Sequence, residues 1–383
     1  MYLFYFLLGA VIFWGAKCCR RHEWNDEYTS LSQTKILLGI QAILIPLHHM
    51  AQKSCAPWHE PRYIVHGLDV FVPIGHLLVA AFFFCSGLGL FKSLKSKKDY
   101  LRGFVLKRIV PLIIAFYLSE FIYTGMRLLI GEKMKALDVI CYLLGVHMAN
   151  MNGWYVVAIV LFYFLFHLAF RTCKKESTAI LWMFIAAAAY AAGGSFLGHW
   201  HEWWMGGEWW YNSIILFPLG LLFAKHEEKI TAFFKKAYPV LLPLSVAGTF
   251  GLHFLSEWAQ NVWGYYGEYW HDPLLIPHRL MCCGVQWVLC IFYVLSWFLI
   301  MLKIKLGNKL LALAGSKTLE LYLMHGMFVE LFGYDFLEKI PSLHYIKNVP
   351  LYILVVFACA IPLTAVYSFV WKKLLKLLPK VRS

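Results

Sequence analysis

Long apolar runs, separated by short charged connections, recur along the whole chain. A helix needs about 20 apolar residues to cross a bilayer, and eleven runs are near or above that length. Because unpaired backbone groups are too costly in lipid, the runs are predicted to be helices. The pattern therefore predicts an all-α, polytopic integral membrane helical bundle. The eleven runs cover approximately residues 1–16, 36–51, 76–91, 104–124, 153–170, 178–198, 209–224, 238–256, 274–302, 310–332 and 349–371.

Composition supports a membrane protein independently of the runs. Of the 383 residues, 61% are hydrophobic and 15% are charged, whereas about half of an ordinary soluble domain is apolar. Aromatic residues make up 18%, which suits aromatic belts at both membrane interfaces. The apolar stretch 137–149 is too short to cross comfortably and is predicted to lie in or on the outer interface.

Basic residues alternate between the two sides of the predicted bundle. Six loops hold 26 of the 35 Lys and Arg residues, and basic loops are retained in the cytoplasm. The sequence therefore predicts a multi-pass protein of the cell membrane with its N-terminus outside and its C-terminus in the cytoplasm. The net charge of +14 then describes a cytoplasmic rim in contact with membrane lipid, and no nucleic-acid partner is predicted. The six loops are 17–35, 92–108, 171–176, 225–236, 303–309 and 372–383.

The second apolar run ends in two adjacent histidines, in "LLGIQAILIPLHHM" at residues 37–50. If the helix starts after Lys35, His49 lies roughly 20 Å along it, in the outer part of the membrane. Adjacent helical residues point about 100° apart, so only one of His48 and His49 can face the bundle centre. From its position alone, His49 either has a functional role or lies at the interface, where water and lipid headgroups form hydrogen bonds with its ring.

Four stretches in a fixed order give the chain a resemblance to a known family. They are the helix ending at His49, "FFFCSG" ending at Gly87, "KRIVP" at 107–111 and "LYLMH" at 321–325, with "GWY" at 153–155 as a further match. The ordered set resembles the acyltransferase 3 family of integral membrane enzymes. The resemblance covers residues 36–371 and implies a membrane acyltransferase domain of about ten helices. Residues 1–35 then form an extra N-terminal helix with its basic connection, and 372–383 form a basic cytoplasmic tail.

The chain departs from the family pattern at two positions. The family usually has Arg about eleven residues before the helix-end histidine, where this chain has Leu38. The cytoplasmic Arg-x-x-Arg pattern is also incomplete, because Val105 stands where its first Arg is expected. Both departures concern the use of the acyl donor.

The resemblance implies transfer of an acyl group, in the first place acetyl, from cytoplasmic acyl-CoA to a hydroxyl of an exported or cell-surface acceptor such as a polysaccharide or glycolipid. Such a transfer needs a base that works near neutral pH, which is the range of histidine. His49 is the predicted general base, with His48 as the alternative. Glu120, in the outer half of its predicted helix, is the predicted partner of the imidazolium; a helix-packing or snorkelling role remains open.

The donor carries phosphates, which call for basic side chains at the cytoplasmic end. The predicted cofactor-binding residues there are Arg102, Lys107 and Arg108, although topology signalling alone also explains basic residues in this loop. The acyl-bearing arm is predicted to pass Ser86, Gly87 and Trp154. No metal site is predicted.

The predicted substrate-binding residues are His48, Tyr155, Arg279, Tyr322 and His325. Tyr322 and His325 lie mid-helix beside Glu320, where they would line the cavity or complete a buried polar cluster. For Arg279, snorkelling to the interface is an equal alternative. Outer-loop tryptophans would either stack on a sugar or anchor the interface; they are Trp200, Trp203, Trp204, Trp209, Trp210, Trp258, Trp263 and Trp270. A transporter that uses the same buried His, Glu and Arg for proton-coupled movement is the competing class.

Overall fold

The computed structural model describes residues 1–197, 205–263, 275–334 and 344–379. Within these ranges the chain is almost entirely helical, which confirms the all-α polytopic bundle. The helices are α1 Tyr2–Phe13, α2 Leu31–Ser54, α3 Gly75–Ser96, α4 Val110–Leu129, α5 Ala136–Leu144, α6 Trp154–Thr172, α7 Glu176–Leu197, α8 Leu216–Lys225, α9 Glu227–Trp263, α10 Ile276–Lys303, α11 Lys309–Ser316, α12 Thr318–Phe332 and α13 Val349–Leu375. Two short strands, β1 Lys17–Cys18 and β2 Ile304–Lys305, pair antiparallel.

Seven of the described helices are long and apolar enough to cross a membrane: α2, α3, α6, α7, α9, α10 and α13. The other four predicted runs form α1, α4, α8 and the pair α11 and α12, which are shorter or less uniformly apolar. α4 is preceded by a π-helical turn at Val105–Ile109. The short apolar stretch 137–149 contains α5, a helix of nine residues.

The run 310–332 was expected to be one helix, and this prediction is wrong. The backbone of Lys317 is not helical, and it separates α11 from α12. The cause is the approach of α11 to α2: a Cβ on Gly39 would lie 2.2 Å from the Leu311 carbonyl oxygen, and one on Gly315 would lie 1.9 Å from that of Lys35. α11 therefore crosses α2 in direct backbone contact, which only glycine permits.

α1 extends between the two ends of the bundle. Near its start, the Tyr5 hydroxyl donates to the Gly67 carbonyl at 2.7 Å. Beyond its last turn, the Asn308 side-chain amide donates to the Trp14 carbonyl at 3.1 Å. We call the end that holds loops 14–30, 97–109 and 304–308 the basic end, and the end that holds segments 55–74 and 145–153 the histidine end. α2 begins at the basic end and finishes at the histidine end.

Candidate active site

A cavity of about 160 Å³ lies between α2, α3, α4, α6 and α12. Its walls are mostly apolar, with a few hydroxyl groups among them. The lining residues are Leu38, Ile45, Val79, Phe82, Ser86, Leu112, Tyr155, Ile159, Tyr163, Thr318, Leu319 and Tyr322. Helices from the first half of the chain and α12 from its last quarter thus border one space inside the bundle.

Two histidines lie one helical turn beyond the lining residues, towards the histidine end. On α2, Leu38 and Ile45 line the cavity, and His49 follows Ile45 by four residues on the same face. On α12, Tyr322 lines the cavity, and His325 follows it by three. The rings of His49 and His325 have centroids 5.2 Å apart. The structure therefore brings together two predicted site residues that are far apart in sequence.

Hydrogen bonds orient both of these imidazoles in the same way. The Nδ1 of His49 lies 3.1 Å from the Gln52 amide oxygen, and the Nδ1 of His325 lies 3.0 Å from the Leu321 carbonyl oxygen. Since oxygens of this type only accept, Nδ1 carries the proton in each ring. Nε2 is then the basic nitrogen. In His325 this atom is buried and has no hydrogen-bond partner among the described residues.

His48 points away from the cavity. Its Nδ1–H donates to the Phe71 carbonyl at 2.7 Å. Its Nε2 lies against Gly75 at the start of α3, where an added Cβ would be only 2.2 Å away. The rings of His48 and His49 still lie 4.9 Å apart, centroid to centroid. His48 thus borders the site on its α3 side, and His49 occupies the cavity side.

Glu120 is fully buried on α4 and binds backbone amides. Its carboxylate accepts from the Ala149 N–H at 2.6 Å and from the Asn150 N–H at 3.3 Å. Among the described contacts, none joins Glu120 to His49, whose ring partner is Gln52. The structure therefore places Glu120 as an anchor for the segment before α6. Gln52 could not be selected from the sequence, because a glutamine at a helix end is usually an ordinary polar residue.

Cations lie at the basic end, on the side of the cavity away from the two histidines. Arg108 lies in the π-helical turn before α4 and precedes the lining residue Leu112 by about one turn. Its guanidinium contacts the Tyr100 hydroxyl at 3.2 Å and interacts electrostatically with Tyr163, another lining residue. All three predicted phosphate-binding residues are exposed at this end: Arg102, Lys107 and Arg108.

Of the three residues predicted to line the passage of the arm, only Ser86 does so. Gly87, the next residue on α3, faces α8, where an added Cβ would lie 2.1 Å from the Phe217 carbonyl oxygen. Trp154 starts α6 and packs against Trp210, with ring centroids 6.0 Å apart. Gly87 is thus required for close helix packing, and Trp154 lies beside the cavity and not in its wall.

Tyr155 and Tyr322, predicted to bind substrate, are in edge-to-face contact in the wall of the cavity. Their ring centroids are 5.6 Å apart, and both side chains are lining residues. The Ser86 hydroxyl interacts with the phenol of Tyr155 on the same wall. The wall of the cavity therefore carries hydroxyl groups as well as apolar side chains.

Arg279 does not reach outward from its helix. It is 3% exposed, near the start of α10, and its Nη1 donates to the Ser195 carbonyl at 3.1 Å. This position excludes snorkelling to solvent, and it lies outside the lining of the cavity.

The predicted aromatic surface is only partly described. Trp210 is buried, whereas Trp209 and Trp258 are 38% and 50% exposed; Trp263 is half-buried. Trp200, Trp203, Trp204 and Trp270 lie outside the described residues.

Comparison with known proteins connects this geometry to a chemistry. A family model described as an acyltransferase domain matches residues 39–369, which include most of α2 and all of α3, α4, α6 and α12 around the cavity. No curated protein and no solved structure matches the chain. Because the matched region covers most of the chain, the protein belongs to the acyltransferase 3 family and is a membrane acyltransferase.

Proposed function

We propose that the protein transfers an acyl group, in the first place acetyl, from cytoplasmic acyl-CoA to a hydroxyl of an exported or cell-surface acceptor such as a polysaccharide or glycolipid. One observation supports this proposal: Arg108 lies about one turn from the lining residue Leu112 on the side of the basic end, and His49 and His325 lie one turn from the lining residues Ile45 and Tyr322 on the side of the histidine end. Phosphate recognition and proton transfer thus occupy opposite ends of one space.

The size of the cavity sets how the donor binds. At about 160 Å³, it is smaller than the roughly 300–1,000 Å³ of sites that enclose whole drug-sized ligands. The nucleotide end therefore stays at the basic end, where Arg102, Lys107 and Arg108 bind its phosphates. The neutral arm and its acyl group enter between Ser86 and Tyr155.

In the proposed reaction, the acceptor oxygen attacks the carbonyl carbon of the thioester. His49 Nε2 removes the hydroxyl proton as the new C–O bond forms, and Gln52 holds the ring through Nδ1–H. The C–S bond then breaks, and the departing sulfur takes the proton back from His49. His325 presents a second Nε2 at the same mouth and positions the hydroxyl.

The arrangement requires the basic end to face the cytoplasm, where acyl-CoA is made. Most of the Lys and Arg residues lie in six loops that share one side of the predicted topology, as expected for cytoplasmic loops. The N-terminus is then outside and the C-terminus inside the cell membrane.

The test uses the full chain in lipid nanodiscs with acetyl-CoA, and it follows the release of free thiol. His49→Ala is expected to lower turnover by about 10²- to 10⁴-fold, the contribution of a general base. His226→Ala, a histidine at the C-terminal end of α8, is the matched control and should turn over like the wild type. Full activity of His49→Ala together with loss in His325→Ala would move the base to α12.

The competing class gives a different result in the same preparation. A transporter would consume no acetyl-CoA and would move an intact solute across vesicles. Mass spectrometry of surface glycans and lipids from a deletion strain identifies the acceptor, because the acylated species would be missing.

A further inference from the structure

The N-terminal helix α1 lies outside the region that matches the family model, which begins at residue 39. It is attached to the bundle at both of its ends. At the basic end, the Asn308 side-chain amide donates to the Val11 carbonyl at 2.8 Å and to the Trp14 carbonyl at 3.1 Å. At the histidine end, α1 contacts the segment between α2 and α3. The helix therefore adds contacts beside the site that come from outside the matched domain.

Tyr5 makes the contact at the histidine end. Its hydroxyl donates to the Gly67 carbonyl at 2.7 Å, and its ring stacks on that of Phe71, with centroids 5.9 Å apart and planes 17° from parallel. The Met1 side chain fills the space next to Gly67, where an added Cβ would lie 2.8 Å from the Met1 Cγ. Tyr5 thus fixes both ends of the segment 67–71.

Segment 67–71 has little regular structure of its own. Its one regular element is the 3₁₀ turn Asp69–Phe71, of three residues, and such turns have poor hydrogen-bond geometry. The Cys55 thiol ties the segment to the end of α2 by accepting from the Leu68 N–H at 3.3 Å. Phe71 itself is 5% exposed. Its position therefore depends on the surfaces against which it packs, and the Tyr5 ring is one of them.

Phe71 in turn sets the orientation of His48. Its carbonyl oxygen accepts the Nδ1–H of His48 at 2.7 Å, and the Nε2 side of that ring lies against Gly75. The His48 ring is thereby held 4.9 Å from the His49 ring, centroid to centroid. It fills the space between His49 and the start of α3, so that His49 keeps its place beside His325. If the His48 ring left this space, His49 could turn away from the cavity.

We propose that Tyr5 is a positioning residue for the proposed general base. Through segment 67–71 it holds His48, and His48 holds the His49 ring on the cavity side. This inference rests on the proposed function for the role of His49, and it gives α1 a part in the reaction. Tyr5 is not a lining residue of the cavity, so its contribution is the placement of another group. Such placement matters, because a shift of about 1 Å can cost about 10²-fold in rate.

The test uses the full chain in lipid nanodiscs and three substitutions on α1. Tyr5→Ala removes the ring and the hydroxyl, whereas Tyr5→Phe removes the hydroxyl alone. Tyr2→Ala is the matched control, because Tyr2 lies on the same helix and is 94% exposed. Two quantities are measured: thiol release from acetyl-CoA, and modification of His48 by diethyl pyrocarbonate, located by mass spectrometry.

Tyr5→Ala is expected to lower kcat about tenfold, because the base is held less well. The KM for acetyl-CoA should not change, since the basic end is unaltered. Tyr5→Phe keeps the stack on Phe71 and should lose less, and Tyr2→Ala should behave like the wild type. His48 is 9% exposed and should react with the reagent faster in Tyr5→Ala than in the wild type.

A double-mutant cycle distinguishes positioning from general support of the fold. If Tyr5 acts through His48, Tyr5→Ala should cause no further fall in kcat in a His48→Ala protein, because the link is already broken. If α1 only supports the fold, Tyr5→Ala should lower kcat by the same factor in both backgrounds. Should Tyr5→Ala fail to fold, Tyr5→Phe is used in the same cycle.

Equal losses in the two backgrounds would overturn the inference, as would a wild-type kcat in Tyr5→Ala. A lower kcat with His48 still shielded from the reagent would also overturn it. A wild type that consumes no acetyl-CoA would remove the proposed function instead. In that case, faster modification of His48 in Tyr5→Ala but not in Tyr2→Ala would uphold the link from α1 to His48, and unchanged modification would overturn it.

Discussion

A substitution that fills the cavity should raise the stability of the protein and at the same time block the passage of the donor. Val79 on α3 is a buried lining residue, and Val79→Phe would project a ring into the space between α2 and α6. If the cavity is the path of the acyl-bearing arm, this variant should lose transfer while its fold becomes more stable. If activity were lost because the fold is damaged, stability would fall instead. The sign of the stability change therefore distinguishes a blocked passage from a damaged fold.

The size of the stability effect follows from the cavity volume. Empty space in a protein core costs about 24 cal/mol per Å³, so 160 Å³ corresponds to roughly 4 kcal/mol. A phenyl ring that fills about half of it would contribute roughly 2 kcal/mol, less any strain in the new side chain. The midpoint of thermal unfolding should therefore rise by a few degrees.

Two further measurements on purified protein in nanodiscs check this prediction. Thiol release from acetyl-CoA should fall by about 10²-fold or more, because the thioester no longer reaches His49. Binding of 3′-phospho-ADP, which carries the nucleotide end without the arm, should be retained. Val240→Phe, on a surface position of α9 that is 68% exposed, is the control for size alone and should behave like the wild type.

Normal transfer by a more stable Val79→Phe protein would refute the reasoning, because it would show that the donor arm takes another route. Loss of 3′-phospho-ADP binding would also contradict it, since the nucleotide is placed outside the cavity.

Other predictions follow from single contacts. Arg108→Ala should raise the KM for acetyl-CoA about tenfold. Added salt should raise the wild-type KM towards that of the variant, because salt screens an exposed contact to phosphate. A KM that responds to neither the substitution nor the salt would show that Arg108 does not bind phosphate. Glu120→Ala leaves two buried backbone N–H groups without an acceptor, which should lower the free energy of unfolding by about 2–4 kcal/mol. Glu120→Gln keeps an acceptor oxygen and should lose less. Equal unfolding midpoints of the two variants would contradict this prediction. Gly315→Ala should reduce the yield of folded protein because its Cβ would lie 1.9 Å from the Lys35 carbonyl oxygen, whereas Gly89→Ala, with nothing within 4 Å, should not; equal yields would refute the close crossing.

The positions of most helices could be predicted from the sequence because the length of an apolar run is a local property. The break at Lys317 could not, since it depends on how closely α11 approaches Gly39 of α2, and no pattern within residues 310–332 encodes a contact with another helix. The same limit explains why Gly87 was expected in the cavity wall. Its neighbour Ser86 is there, and one residue along a helix turns the side chain by about 100°.

Within the site, the sequence could indicate the side chains whose chemistry is recognisable alone. His49 and His325 stood out as imidazoles in apolar helices, and the structure brings their rings together. Gln52 was missed because a neutral amide shows its importance only through its neighbours. For Glu120, the partners are backbone N–H groups in a segment without regular periodicity, so a nearby histidine was the natural but untested expectation.

Leu38 shows how a departure from the family pattern acquires a physical meaning. It lines the cavity, where the resemblance leads one to expect Arg. An arginine there would bring a positive charge into the apolar interior and draw the donor phosphates inward. With leucine, this part of the wall stays apolar, and cations lie outside it, at the exposed Lys35 one turn back towards the basic end and at Arg108 beyond Leu112. On the proposed mechanism, the phosphates therefore stop at the basic end, and only the neutral arm, which gains from apolar contact, continues to His49.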